Sequence, residues 1–191
     1  MSGEGRLRKI PVLSVLFAVL AVCPAISASS SQDPFVQDVR GRVKGREARV
    51  QFRLRNGFPP EMVEALKSGI EISFRVSVEV ERVHKNWIDV QVGRVTRNRS
   101  VRYDALARVY RIQRDTGGES VPDLIEAIRA MEEYTVTVPL AVDAIPGKRY
   151  LARVRVRLDR VGLSDPLRRI FFLSSLWDLE TEWAEGGLTA P

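Results

Sequence analysis

Three arginines, Arg153, Arg155 and Arg157, alternate with Ala152, Val154, Val156 and Leu158. Alternate side chains of a strand share one face about 7 Å apart, so the pattern predicts a ladder of guanidinium groups on one face of a sheet. Each guanidinium is a fork that fits a carboxylate or a phosphate, which makes the ladder the leading candidate for binding an anion. An outward sheet face must carry polar groups in any case, and Glu71, Glu79 and Glu81 on a neighbouring strand offer cross-strand partners. Arg102 and Asp104 lie two residues apart and point the same way, either as a ligand clamp or as an ion pair locking one strand. In the tail, Trp177 and Trp183 alternate with Asp178, Glu180 and Glu182. Exposed, these rings would hold a carbohydrate or a partner; on an edge strand they would fill the core.

Other chemistries are excluded by count. The 191 residues contain one His, His84, and one Cys, Cys23. Single copies cannot build a His/Cys metal cluster, a Cys–His dyad or a disulfide. His84 has no Ser or Asp beside it to complete a relay, so a solvated turn residue is expected there. No metal and no cofactor is expected. Paired acids of the glycosidase type stay open, because a folded sheet can bring distant Asp and Glu together, although no spacing selects such a pair. Nucleic acid is disfavoured by the modest charge and by the lack of aromatic residues interleaved with the ladder. Asn98, Arg99 and Ser100 match a glycosylation sequon and, equally, a β-turn.

The first residues read as an address. Arg6, Arg8 and Lys9 precede an apolar run over 10–22, followed by Cys23, Pro24 and the small residues Ala25, Ser27 and Ala28. This is the layout of a secretory signal peptide. Thirteen helical residues span only about 20 Å, short of the roughly 30 Å hydrocarbon core. Cleavage is expected after Ala28, giving a periplasmic or secreted protein that would touch a membrane only through an uncleaved signal. Lipidation at Cys23 is disfavoured by the branched Val22 before it. Loss of residues 1–28 lowers the net charge from +6 to +4 and removes the thiol.

The remaining chain, 29–191, carries the elements that must position these groups. From 70 to 83 the even positions are apolar, Ile70, Ile72, Phe74, Val76, Val78 and Val80, and polar residues fill the odd ones up to Glu81, as in a strand buried on one face. His84 to Asn86 turns this strand into Trp87 to Val92, forming a hairpin, and Gly93 marks a bulge. Further strands are expected over 35–43, 48–55, 101–113, 134–142 and 150–161, with one or two more over 170–182. Turns are expected at 41–45, 98–100, 115–118 and 145–148. One helix starts at Pro59 and Pro60 and stops at Gly69; a second is capped by Ser120, with Pro122 and Asp123 in its first turn. The predicted fold is mainly β: a single antiparallel β-sandwich-like domain, or a closed-up curved sheet, of seven to eight strands with two short helices.

Asn56, Gly57, Phe58, Pro59 and Pro60, then Arg102, Tyr103 and Asp104, the strand over 150–158, and Leu173 to Leu179 together resemble the bacterial domain of unknown function 4390 family. The resemblance covers about 35–185. It implies an exported proteobacterial protein and supplies no catalytic residue. It further implies an accessory role outside the cytoplasmic membrane, beside a membrane sensor kinase of the nitrogen-regulation type. A non-enzymatic binding or accessory protein is therefore the leading functional expectation, with a sensor kinase's external portion or another envelope protein as partner. An envelope-acting hydrolase using Asp and Glu carboxylates is the alternative. The oligomeric state is left open.

Overall fold

The period-two alternation becomes nine strands. The structure, a computed structural model, describes residues 33–84, 88–159 and 179–190. In chain order these form β1 (Phe35–Lys44), β2 (Glu47–Arg55), α1 (Pro60–Lys67), β3 (Ile72–Arg82), β4 (Val90–Asp104), β5 (Val109–Arg114), β6 (Gly117–Val121), α2 (Leu124–Glu132), β7 (Glu133–Pro139), β8 (Tyr150–Leu158) and β9 (Ala184–Thr189). The fold is mainly β, one domain with two helices, and its strands make one continuous sheet in the order β6-β5-β4-β3-β8-β9-β1-β2-β7. Neighbours pair antiparallel except β1 and β9, which run parallel at Gly41 to Leu188 and Arg42 to Thr189.

Curling of this one sheet supplies the second layer that a core requires. Gly93 of β4 bridges Leu140, one residue beyond β7, and the Ala141 N–H donates to the Val92 carbonyl at 2.8 Å. Only glycine fits at 93, because a Cβ would lie 2.7 Å from the Pro139 carbonyl oxygen. The expected bulge falls on the same stretch, between the pairs Val80–Gly93 and Glu81–Gln91. Inside the curl, Val50, Leu54, Phe74, Val76, Val78, Val80, Val138, Val154 and Val156 are fully buried. Each such side chain contributes on the order of 1.5–3 kcal/mol through removal from water.

Several expectations need correction. No turn occurs at 98–100: β4 passes straight through, pairing Asn98 with Arg75 and Ser100 with Ser73. The strand expected over 101–113 is instead the end of β4 and all of β5, separated by a turn that Asp104 holds by accepting the N–H groups of Leu106 and Ala107, both at 3.0 Å. Ser120 does not cap α2, because it pairs with Arg111 in β6. Asp123 caps it, accepting from Ile125 N–H at 2.8 Å and Glu126 N–H at 3.0 Å. The strand after α2 stops at Pro139, which has no N–H to give a ladder. The signal segment 1–28, the turn residues 85–87 and most of the tail expected as strand over 170–182 lie outside the described residues. β9, further on, has no strand signal in sequence.

Candidate functional site: a basic groove across β1, β2 and β9

β8 projects Arg153, Arg155 and Arg157 outward as a ladder, and most of that ladder is already matched. Arg153 lies between two acids, with Nη1 3.4 Å from Glu81 and Nε 3.2 Å from Glu185. Arg155 Nη1 reaches Glu180 at 3.0 Å. The indole of Trp183 covers both guanidinium groups, at 5.1 and 4.7 Å from its centre, a cation–π arrangement that further occupies them. Glu79, which sequence offered to the ladder, is instead buried against Arg94 at 2.6 Å. Arg157 faces Arg75, whose charge is met by Asp159 at 2.8 Å.

The other predicted pair does not form. Asp104 takes Arg111 across the β4–β5 hairpin, both contacts at 2.8 Å, and Arg102 has no acidic partner among the described residues. The Ala107 N–H, followed by the Arg111 guanidinium, holds the Asp104 carboxyl below the usual carboxylate range. Asp104 thus acts as a turn clasp, and the expected intrastrand ion pair with Arg102 does not form. Trp177 lies outside the described residues.

A denser set of cations stands elsewhere. Alternation in β1 puts Val43 inside and Arg40, Arg42 and Lys44 outside; in β2 it puts Ala48 and Val50 inside and Glu47, Arg49 and Gln51 outside. Register pairs Arg42 with Arg49, Arg40 with Gln51 and Lys44 with Glu47. Thr189 of β9 flanks Arg42 and Thr137 of β7 flanks Arg49. An open cavity of about 680 Å³ follows this face, lined by Arg40, Arg42, Lys44, Arg49 and Thr189 and by one carboxylate, Glu47.

Like charges directly opposite on adjacent strands destabilise a sheet. The described strands contain four Arg–Arg cross-strand pairs: Arg42–Arg49, Arg75–Arg157, Arg99–Arg114 and Arg102–Arg111. A carboxylate meets one member of the last three, from Asp159, Glu119 and Asp104 respectively. Neither Arg42 nor Arg49 has an acidic partner among the described residues, nor has Arg40, while Lys44 faces Glu47 across the ladder without closing an ion pair. The groove therefore presents charge that a bound anion would neutralise.

A smaller cavity of about 180 Å³ opens between β4 and β7, lined by Arg97, Arg99, Arg114, Asp115, Tyr134 and Thr137 among others. Its cations are engaged. Arg97 faces Asp115 at 3.9 Å, Arg114 pairs with Glu119, and Arg99 donates to the carbonyls of Ala130 at 2.5 Å and Glu133 at 2.7 Å. Arg99 also lies 4.0 Å from the centre of the Tyr134 ring, which stacks on Phe52. Burial lowers the Arg99 pKa and pushes the Tyr134 hydroxyl up to about 12. This cluster fastens α2 to the sheet.

Among the described residues no three His, Cys, Asp or Glu side chains gather as a metal site, and no helix is long and apolar enough to cross a membrane. A mainly β domain with an uncompensated basic groove is the class that fold and site define. The chain matches the family model described as domain of unknown function (DUF4390) over residues 32–185, and it belongs to that family. No curated protein and no solved structure shows significant similarity to it.

Proposed function

We propose that the protein is an exported, non-enzymatic binding module whose basic groove holds a carboxylate-rich segment of an envelope protein. The single observation carrying this reading is the Arg42–Arg49 pair, kept opposite each other without an acid. Such a pair lowers stability when empty, and its repulsion is relieved when an anion sits between the two forks. Arg40 and Lys44 extend the same face along β1, at the spacing that alternate acidic side chains of an extended segment would match. The external part of a membrane sensor kinase is the partner to which the family resemblance points, and the groove specifies what it must present: closely spaced carboxylates. The alternative, a hydrolase, needs two carboxylates flanking one bond, whereas the groove and the smaller β4–β7 cavity described above are each lined by a single acid.

The test is capture from an envelope extract. Arg42→Ser with Arg49→Ser should lower recovery of the partner by about tenfold, a difference of roughly 1.4 kcal/mol, while the domain itself melts no earlier. Salt should weaken capture by the intact protein, as expected for exposed charges. Unchanged capture by the double variant would remove the groove from the function.

A further inference from the structure

Seven large apolar side chains are exposed among the described residues, and four of them lie on two segments held at the same end of the sheet. Ile88 is 82 % exposed, Val142 45 %, Val90 42 % and Ile145 41 %. Leu106, Ile125 and Phe35 are exposed in separate places, as single apolar residues on a surface commonly are. The four come from two segments, the β3–β4 hairpin and the β7–β8 loop, that backbone bonds hold together. Val83 N–H donates to Arg149 O at 2.9 Å, Ala141 N–H to Val92 O, and Ala144 N–H to Gly45 O at 2.8 Å in the β1–β2 turn. The Tyr150 hydroxyl oxygen accepts the Ile145 N–H at 2.9 Å, fixing the loop's far side.

Around these tips four cations stand against three acids. Lys44 ends β1, Arg46 lies in the β1–β2 turn, and Lys148 and Arg149 belong to the loop itself, all exposed. Arg46 ties the turn to the loop by donating to the Ala141 carbonyl at 2.9 Å. The acids are Asp89, which accepts the His84 N–H at 2.9 Å and keeps its charge, and the exposed Glu47 and Asp143, so the cations exceed them by one. Exposed aliphatic tips ringed by Lys and Arg match the boundary of an anionic bilayer: the side chains enter the acyl region and the cations meet lipid phosphates. Protein partners of a purely acidic kind would have no use for the aliphatic tips, and an uncharged apolar partner none for the ring.

We infer that this end of the domain seats on an anionic membrane surface. The seat is continuous with the groove, since Lys44 and Glu47 border both, and it would hold the groove beside the membrane where the external part of an integral partner stands. This docking adds a membrane contact to the proposed function without depending on it, and the two fail separately.

Flotation of the purified protein with phosphatidylglycerol-containing vesicles is the test, with phosphatidylcholine vesicles as the uncharged comparison. Binding is expected to the anionic vesicles. Ile88→Ser with Val142→Ser and Ile145→Ser should lower it by about fivefold or more, and Lys148→Glu with Arg149→Glu by a similar factor, consistent with a few apolar and charged contacts each contributing to attachment. All five positions are exposed, so an unchanged melting temperature separates lost docking from lost folding. Arg42→Ser with Arg49→Ser should float as the parent does; loss of flotation there with the tip variants unaffected would transfer lipid binding to the groove and overturn the docking. Absence of flotation, or flotation indifferent to the tip variants, also overturns it. So would a dimer in sedimentation that the tip variants dissolve, because a second copy would then be what covers the tips.

Discussion

Two arginine-bearing faces of one sheet differ in what stands opposite them. On β8, Arg153 and Arg155 are flanked by Glu81, Glu180 and Glu185 and covered by Trp183. On β1 and β2, Arg42 faces Arg49, and four cations share one bordering acid. Both runs look alike along the chain, as basic residues alternating with small or apolar ones. Strand order decides between them: β8 lies between β3, which brings Glu81, and β9, which brings Glu185, whereas β1 and β2 flank each other with Arg-bearing faces. An arginine ladder is thus left with unmatched charge only where its neighbouring strands withhold carboxylates.

The contrast can be erased or reversed. The largest effect expected is on partner capture, where Arg42→Ser with Arg49→Ser costs about tenfold and Arg153→Ser with Arg155→Ser costs less than about twofold. Reversal comes next. Glu81→Gln, Glu180→Gln and Glu185→Gln together strip the ladder of its acids and should lower stability by about 1–2 kcal/mol in urea unfolding, since each of these partly exposed pairs contributes only some tenths to about 1 kcal/mol, while creating a second salt-sensitive anion surface. Smaller again, Thr189→Glu places an acid beside Arg42; it should raise stability by about 0.2–1 kcal/mol and weaken capture, which turns the groove into a second ladder. Last is acidity. Asp104 has a folded pKa below its unfolded value of about 3.9, so its contribution is present above that value and is lost as pH falls through the folded one. Asp104→Asn should flatten the acid limb of the stability profile below about pH 4, leaving capture near neutrality unchanged.

Alternation made the sheet legible: β1, β2, β3, β7 and β8 lie within a few residues of where period-two patterning puts them, and both helices start near their prolines. What escaped were features set by pairing. Asn98 and Ser100 have turn chemistry, yet both sit in a ladder with β3, and tertiary pairing overrides the local preference. β9 has Gly186 and Gly187 where a strand former is expected; a Cβ at 186 would lie 1.9 Å from the Val39 carbonyl oxygen, so close approach to β1 demands glycine there. The groove had a signal in Arg40, Arg42, Lys44, Arg46 and Arg49, denser than the ladder's. Sequence alone could not rank the two, because the deciding carboxylates arrive from strands far away along the chain.

β9 also sets a timetable. The order β6-β5-β4-β3-β8-β9-β1-β2-β7 shows two half-sheets that, among the described residues, meet through β9 and through the Gly93–Leu140 bridge. β1 and β2 precede the other described strands along the chain, yet β1 keeps an unpaired edge until residues 184–189 are available. Such distant closure is slow, since loop entropy is lost before the contacts form. The sheet consequently stays incomplete until residues 184–189 join it, a delay that suits the proposed passage of an unfolded precursor through a membrane.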